Sequence, residues 1–237
     1  MKNNLIIFKN KIKNLFLEIF FPEACVICSE PGNSICERCL LDIKNQKSEE
    51  NYKSIEWIHS CLSYKNPKLK TALFFLKYHY TKSISKYLAK ACYQEFYDFI
   101  KKKNINPENL IIIPIPISKK RLIERNYNQS ELLAKEIIQE IKENLNLDLE
   151  NSLYIDLLLK NRNTIKFANT HSHTERENLI KEAFNVNPKY NKDFLENKII
   201  IILDDITTTG STFYEARNTL LKNNIKKENI YGFSIAH

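Results

Sequence analysis

The chain has 237 residues, 43% hydrophobic and 27% charged, which is enough for one large domain or a domain with a small appendage, and a packed core. The composition is that of a globular, water-soluble chain and excludes a disordered or fibrous one. A formal net charge of +8 and a pI of about 9.0 raise the prospect of a polyanionic partner, either nucleic acid or a phosphorylated substrate. General over-use of Lys, Asn and Ile is the plainer explanation for the same charge.

The first twenty residues place Leu5, Phe8, Ile12, Leu15, Phe16, Ile19 and Phe20 at helical spacing. An amphipathic helix over 1–21 follows, packed either on its own protein or, as a peripheral contact, on a membrane or partner. Lys9, Lys11, Lys13 and Glu18 interrupt the stretch, so it is not read as a cleaved signal. No run of ~18 apolar residues occurs, so no membrane-spanning helix is expected.

The segment "CVICSEPGNSICERC" holds Cys25, Cys28, Cys36 and Cys39 as two C-x-x-C pairs seven residues apart. Two such knuckles suit one tetrahedral zinc ion in a closed, structural site, and a small finger over 22–45 is expected. Two disulfides are the alternative, disfavoured by the lack of an export signal. Cys61 and Cys92 read as reduced packing residues.

Residues 40–54 are polar and read as a linker or the start of the next domain, which is placed at 52–237. A strand or hairpin follows from Ile55, with His59 read as an ordinary core or surface histidine. Two amphipathic helices come next, at 68–80 and 82–103, with Pro67 at the first start and a lysine run suited to the second C-terminus. Residues 110–113 are continuously apolar and β-branched, as in a strand buried on both faces. Then come a basic loop carrying Lys119, Lys120, Arg121 and Arg125, and a helix over 130–145.

The plan repeats at "KIIIILDDITTTGSTF", residues 198–213: a buried strand, an acidic then hydroxyl-rich loop, and a helix from about Thr212. A last strand closes the chain. Strands alternating with helices indicate an α/β fold with a parallel sheet, whose ligands bind beyond the carboxyl ends of the strands. The basic and acidic loops would both lie at that edge.

Backbone amides of Thr207, Thr208, Thr209, Gly210, Ser211 and Thr212 can wrap an anion, with Gly210 giving turn freedom and the next helix its positive end. The spacing and lysine of a Walker A loop are missing. Asp204 and Asp205 can accept bonds from vicinal sugar hydroxyls or hold Mg2+ through water. Together these ask for a sugar phosphate. The plainer alternative is a strand-end acid pair with a Thr-rich helix cap.

"IIIILDDITTTGST" resembles the phosphoribosyl pyrophosphate motif of type I phosphoribosyltransferases. "IPIPISKKRLIERNYNQSELLA", the four-cysteine finger, "LKYHY" and "RNTIKFANTHSHTERENLIKEAF" resemble segments of the ComF family of competence-associated proteins. The resemblance runs from Cys25 to the end. It implies a type I phosphoribosyltransferase-like sheet flanked by helices, with a small N-terminal zinc finger. It further implies ribose hydroxyls on Asp204 and Asp205, Mg2+ bridging ribose and pyrophosphate, and the 5′-phosphate on the amides of 207–212. Lys120, Arg121 and Arg125 would face the pyrophosphate, and residues 162–176 would form a hood over the site. If the protein is an enzyme, Asp204 and Asp205 are its catalytic residues and the reaction displaces pyrophosphate at the anomeric carbon.

Asn126 stands where the family usually has glycine, and another usual glycine is replaced near Tyr80. A usual Gln is absent near Ala168, and the family's later Asn falls one residue off, at Asn178. Three functions are ranked on this reading. The first is a cytoplasmic ComF-like protein that binds phosphoribosyl pyrophosphate, handles single-stranded DNA during natural transformation and meets DNA-uptake proteins. The second is a metabolic phosphoribosyltransferase acting on a nucleobase or other small acceptor. The third is a catalytically inactive nucleic-acid-binding module. The finger and the N-terminal lysines are the expected DNA surface.

Overall fold

The computed structural model describes residues 23–48, 56–161 and 183–237. The helix expected over 1–21, the hood expected over 162–176, and Ala168 and Asn178 lie outside the described residues.

Helix α1 (Glu37–Asn45) starts one residue after Cys36. Residues 40–45, expected as a linker or the start of the next domain, are therefore helix. The reason is local: Cys39 and Ile43 are one turn apart and both are buried, so one face seats a cysteine and an apolar anchor together. Strand β1 (Ile58–Leu62) follows, then α2 (Pro67–Tyr78). The Asn66 side chain accepts the backbone N–H groups of Lys68 and Leu69, and Pro67 occupies the first turn, where its missing N–H costs nothing. Helix α3 (Ile84–Lys102) buries Leu88, Cys92, Phe96 and Phe99 on one stripe and ends on the lysine run.

Strand β2 (Leu110–Pro114) leads to α4 (Lys119–Arg125) and α5 (Gln129–Leu145). The basic segment expected as a loop is thus a two-turn helix. The Ser118 hydroxyl caps it by accepting the Arg121 N–H, and Asn126 ends it with left-handed backbone at φ 60°. An antiparallel hairpin, β3 (Leu158–Lys160) and β4 (Phe184–Val186), and a short α6 (Lys192–Leu195) precede β5 (Ile199–Ile206). Helix α7 (Ser211–Leu221) and β6 (Ile230–Ala236) complete the order.

The main sheet is parallel throughout, in the order β1-β6-β5-β2. The expected α/β class, a parallel sheet flanked by helices with the four cysteines near the N-terminus, is the architecture found. Strand β5 explains its own sequence. Ile201 and Leu203 join the core under α3 and α5, whereas Ile200 and Ile202 join the core under α7, so both faces demand apolar residues. On the α7 side, a Cβ at Gly232 would lie 2.8 Å from Phe213 Cδ1 and 3.0 Å from Ile58 Cγ1. Only glycine lets the Phe213 ring sit against the sheet there.

The cysteine segment shares the core of the α2–α3–α5 layer. Cys25, Ile35, Cys36, Cys39 and Ile43 belong to the same buried cluster as Leu62, Leu69 and Leu88. Polar ties reinforce the join: Ser34 Oγ lies 2.6 Å from Ser83 Oγ, and Tyr87 Oη donates to Asn33 Oδ1 at 3.1 Å. His59 stacks between Phe99 and Phe233 and shares a 3.0 Å hydrogen bond with Glu95, as expected of a packed histidine. Among the described residues no helix is long and apolar enough to cross a membrane.

Candidate functional site

Strand β5 runs three residues further than its apolar stretch, so Asp204 and Asp205 are strand residues; Asp204 stands opposite Ser234 of β6. Both are buried. Asp204 Oδ1 accepts the Ser130 hydroxyl at 2.8 Å and the Asp205 backbone N–H at 2.9 Å. Burial, and then the neighbouring charge of Asp205, push the Asp204 carboxyl up to about 7. Asp205 Oδ1 accepts the Ile206 N–H at 2.8 Å, and its Oδ2 lies 2.7 Å from Lys77 Nζ. That last contact is an ion pair by distance but lacks hydrogen-bond alignment. Buried Oδ2 therefore keeps lone-pair capacity for a further donor.

Just beyond the acids, residues 206–213 line a concavity of about 60 Å³. Gly210 has φ 74°, the left-handed backbone that glycine adopts without strain, and it caps α7. Thr209 Oγ1 and Ser211 Oγ are 2.6 Å apart, and the Ser211 N–H reaches Thr209 Oγ1 at 3.4 Å. Thr207 Oγ1 is buried without a hydrogen-bond partner. First-turn amides of a helix have no acceptor within the helix, so hydroxyls and N–H groups converge on this turn. The arrangement can take a tetrahedral anion with donors, while the acids beside it can take hydroxyl protons.

Two cations act on the acids, Lys77 by contact and Lys160 through its charge, and neither was foreseen. Lys77, at the end of α2, lies in the "LKYHY" stretch that the sequence flagged without assigning a role. Lys160, at the end of β3, carried no sequence signal. Burial and the charge of Arg121 lower its pKa, and Asp204 opposes that shift. Ser130 was likewise read only as the first residue of a helix. Of the basic residues singled out, Arg121 therefore shares an electrostatic neighbourhood with Lys160, which in turn feels Asp204. Lys120 lies 3.8 Å from Glu124 on the exposed face of α4. Arg125 is buried in the α4–α5 corner, donating to Gln129 Oε1 at 2.9 Å with its guanidinium 5.2 Å from the centre of the Tyr78 ring.

Asn126, where the ComF resemblance leads one to expect glycine, has left-handed backbone at φ 60°, and so does Tyr80, near the second such position, at φ 58°. Asn tolerates that conformation well. Tyr80 carries strain of about 1–3 kcal/mol there.

The thiols of Cys25, Cys28, Cys36 and Cys39 lie within 4.8 Å of one another. Cys28 Sγ and Cys36 Sγ are 3.6 Å apart, and all six cysteines of the chain are free. A disulfide has its sulfurs ~2.05 Å apart, which this spacing does not approach. Zn–S bonds of ~2.3 Å in a tetrahedron put sulfurs ~3.8 Å apart, which it does. Burial disfavours the Cys25 thiolate, but backbone N–H groups of Cys36, Cys28 and Ile27 outweigh it and bring the thiol down to about 6. The cluster fits a four-cysteine zinc finger. Cys61 and Cys92 are buried packing residues, as expected.

No protein-family model matches the chain. It is similar to Competence protein F of Haemophilus influenzae, with 28% identity over 125 residues. The match covers 53% of this chain and 50% of that relative, so the chain spans about half the length of the curated relative it matches. The similarity agrees with the ComF resemblance of the motifs.

Proposed function

We propose that the chain is a ComF-like protein that binds phosphoribosyl pyrophosphate with Mg2+, carries a structural Zn2+, and handles single-stranded DNA in the cytoplasm during natural transformation. The competence-related part draws on the similarity to Competence protein F. The ligand part rests on one observation above all: a buried Asp204–Asp205 pair with an open Oδ2 stands directly before a donor-lined turn.

In this reading the amides and hydroxyls of 208–212 bind the 5′-phosphate and Thr207 Oγ1 finds its missing partner there; the Thr207 N–H, expected among the donors, is taken by the Ala236 carbonyl at 2.9 Å. Asp204 and Asp205 accept the two ribose hydroxyls and so orient the ring. Lys77, Arg121 and Lys160 meet the anionic pyrophosphate. When bound, Mg2+ would neutralise that pyrophosphate, and a buried acid pair beside it suits the ion's oxygen preference. Should transfer occur, the chain's part is electrostatic: the carboxylates stabilise the cationic sugar and the lysines the departing anion. Zinc would sit on Cys25, Cys28, Cys36 and Cys39, holding α1 against α2 and α3.

Calorimetric titration with phosphoribosyl pyrophosphate, with and without Mg2+, tests the reading. Mg2+-dependent binding that ribose 5-phosphate competes away is expected. Absence of binding in both conditions contradicts it.

A further inference from the structure

Among the described residues, exposed large apolar side chains concentrate in one place. Phe74, Tyr78 and Tyr80, at 50%, 59% and 58% exposure, lie at the end of α2 and just beyond it. Leu122 and Ile123 of α4 are also exposed, Ile123 at 79%. The two segments abut: Arg125 of α4 lies over the Tyr78 ring, and the Tyr127 hydroxyl donates to the Leu76 carbonyl. Phe74 lies 5.2 Å from both Tyr78 and His79, centre to centre, so the rings form a continuous cluster. The left-handed backbone at Tyr80 holds the turn that presents them.

Around these rings positive charge is in excess. Lys82 follows the aromatic run, and the exposed surface of α4 adds Lys119, Lys120 and Arg121 against the single carboxylate of Glu124. Lys82 Nζ also lies 5.2 Å from the centre of the Tyr127 ring. An apolar protein partner would be served by the rings alone; rings within a cationic field suit a ligand that carries flat apolar faces and a negative charge at every repeat. Single-stranded nucleic acid has that chemistry, and stacking on exposed rings beside a basic groove is how such strands are held without sequence preference.

We infer that the surface formed by the end of α2, Tyr80 and α4 is the platform that binds single-stranded nucleic acid, with bases on Phe74, Tyr78 and Tyr80 and phosphates on Lys82, Lys119 and Lys120. This rests on the nucleic-acid half of the function proposed above. It places the strand on the α2–α4 side instead of on the cysteine finger. Lys77 connects this surface to the acid pair, because its side chain reaches from the aromatic run to Asp205.

The test is fluorescence anisotropy of a labelled oligo(dT) with the full chain, together with photocrosslinking of a bromodeoxyuridine-containing strand. Phe74→Ala with Tyr78→Ala should weaken binding about tenfold or more, the scale of lost base stacking. Phe74→Trp with Tyr78→Phe should restore it, and Tyr214→Ala, which removes an exposed ring on α7, should leave it unchanged. Crosslinks should fall in the peptide spanning residues 71–82. Wild-type binding of oligo(dT) with equal affinity in the alanine variant, or crosslinks confined to the finger, overturns this placement alone. A wild-type chain that does not bind oligo(dT) overturns both the placement and the nucleic-acid half of the proposed function.

Discussion

The cysteine cluster and the acid pair are both small clusters of ionisable groups, but they are assembled differently. All four thiols come from fifteen consecutive residues, and the two knuckles bring them together by local geometry. The acid pair needs partners from three distant elements: Lys77 on α2, Ser130 on α5 and, through its charge, Lys160 on β3. A locally built cluster stands or falls with its own segment. A cluster built from afar registers changes anywhere in the sheet's helical cover. The difference should show in what each substitution removes.

The largest effect is expected at the cysteines. Cys36→Ser, or removal of metal with a strong chelator, should lower stability by at least ~3 kcal/mol, since zinc binding in finger peptides alone is worth ~10–16 kcal/mol. Because Cys25, Cys36 and Cys39 are part of the α2–α3 core, the loss should spread beyond the finger and lower the main thermal transition. Metal analysis of the purified protein should find one zinc per chain, and thermal unfolding should show the shift. A transition that does not move would mean that the two regions are independent.

Lys77→Met comes next. It leaves the Asp205 carboxylate buried without its cation and should cost about 2–4 kcal/mol in chemical denaturation, slightly less than a fully enclosed pair because Lys77 retains some solvent contact. Combining it with Asp205→Asn should recover most of that loss. Additive losses would show that the pair is not coupled.

Gly210→Val should be smaller in stability, about 1–3 kcal/mol, because a β-branched residue is forced to φ 74°. Its larger consequence is for ligands. The turn should close, and binding of both ribose 5-phosphate and phosphoribosyl pyrophosphate should disappear in calorimetry.

A pH dependence is expected at Asp204. The folded-state pKa of Asp204 is raised, so the folded protein holds that proton more tightly than the unfolded chain. This favours folding fully below the ordinary aspartate range, near pH 4, and is lost as pH rises to about 7. The Ser130 hydroxyl bond offsets part of the burial. Asp204→Asn should therefore be more stable than wild type near pH 8 and equal to it near pH 4, measured by urea denaturation. A gap that widens toward acid would reverse the sign and refute the assignment.

Which parts were legible in the sequence follows from the same contrast. The continuous β-branched runs of β2 and β5 announced strands buried on both faces, and Cys spacing announced the knuckles. The turn at 207–212 was legible because glycine and hydroxyl residues are adjacent in sequence. Helix α4 was missed because its charged residues show no helical apolar stripe; it is fixed by the Ser118 cap and the Asn126 stop, which are signals of one residue each. Lys77 looked like one more lysine in a lysine-rich chain, since only tertiary packing brings it to Asp205. Lys160 was invisible for the same reason. The two glycine departures became intelligible only with backbone angles, which are left-handed at Asn126 and at Tyr80, a conformation that glycine adopts without strain.

The central claim is that Asp204 and Asp205 read the sugar while the turn at 207–212 reads the phosphate. Calorimetric titration of the Asp204→Asn/Asp205→Asn double variant with phosphoribosyl pyrophosphate and with ribose 5-phosphate, each with Mg2+, separates the two roles. The expected result is a normally folded protein that keeps weak ribose 5-phosphate binding and loses about 2–4 kcal/mol toward phosphoribosyl pyrophosphate, roughly 30- to 1,000-fold. A double variant that binds phosphoribosyl pyrophosphate as tightly as wild type would contradict it, and would reduce the acid pair to a strand-end cap.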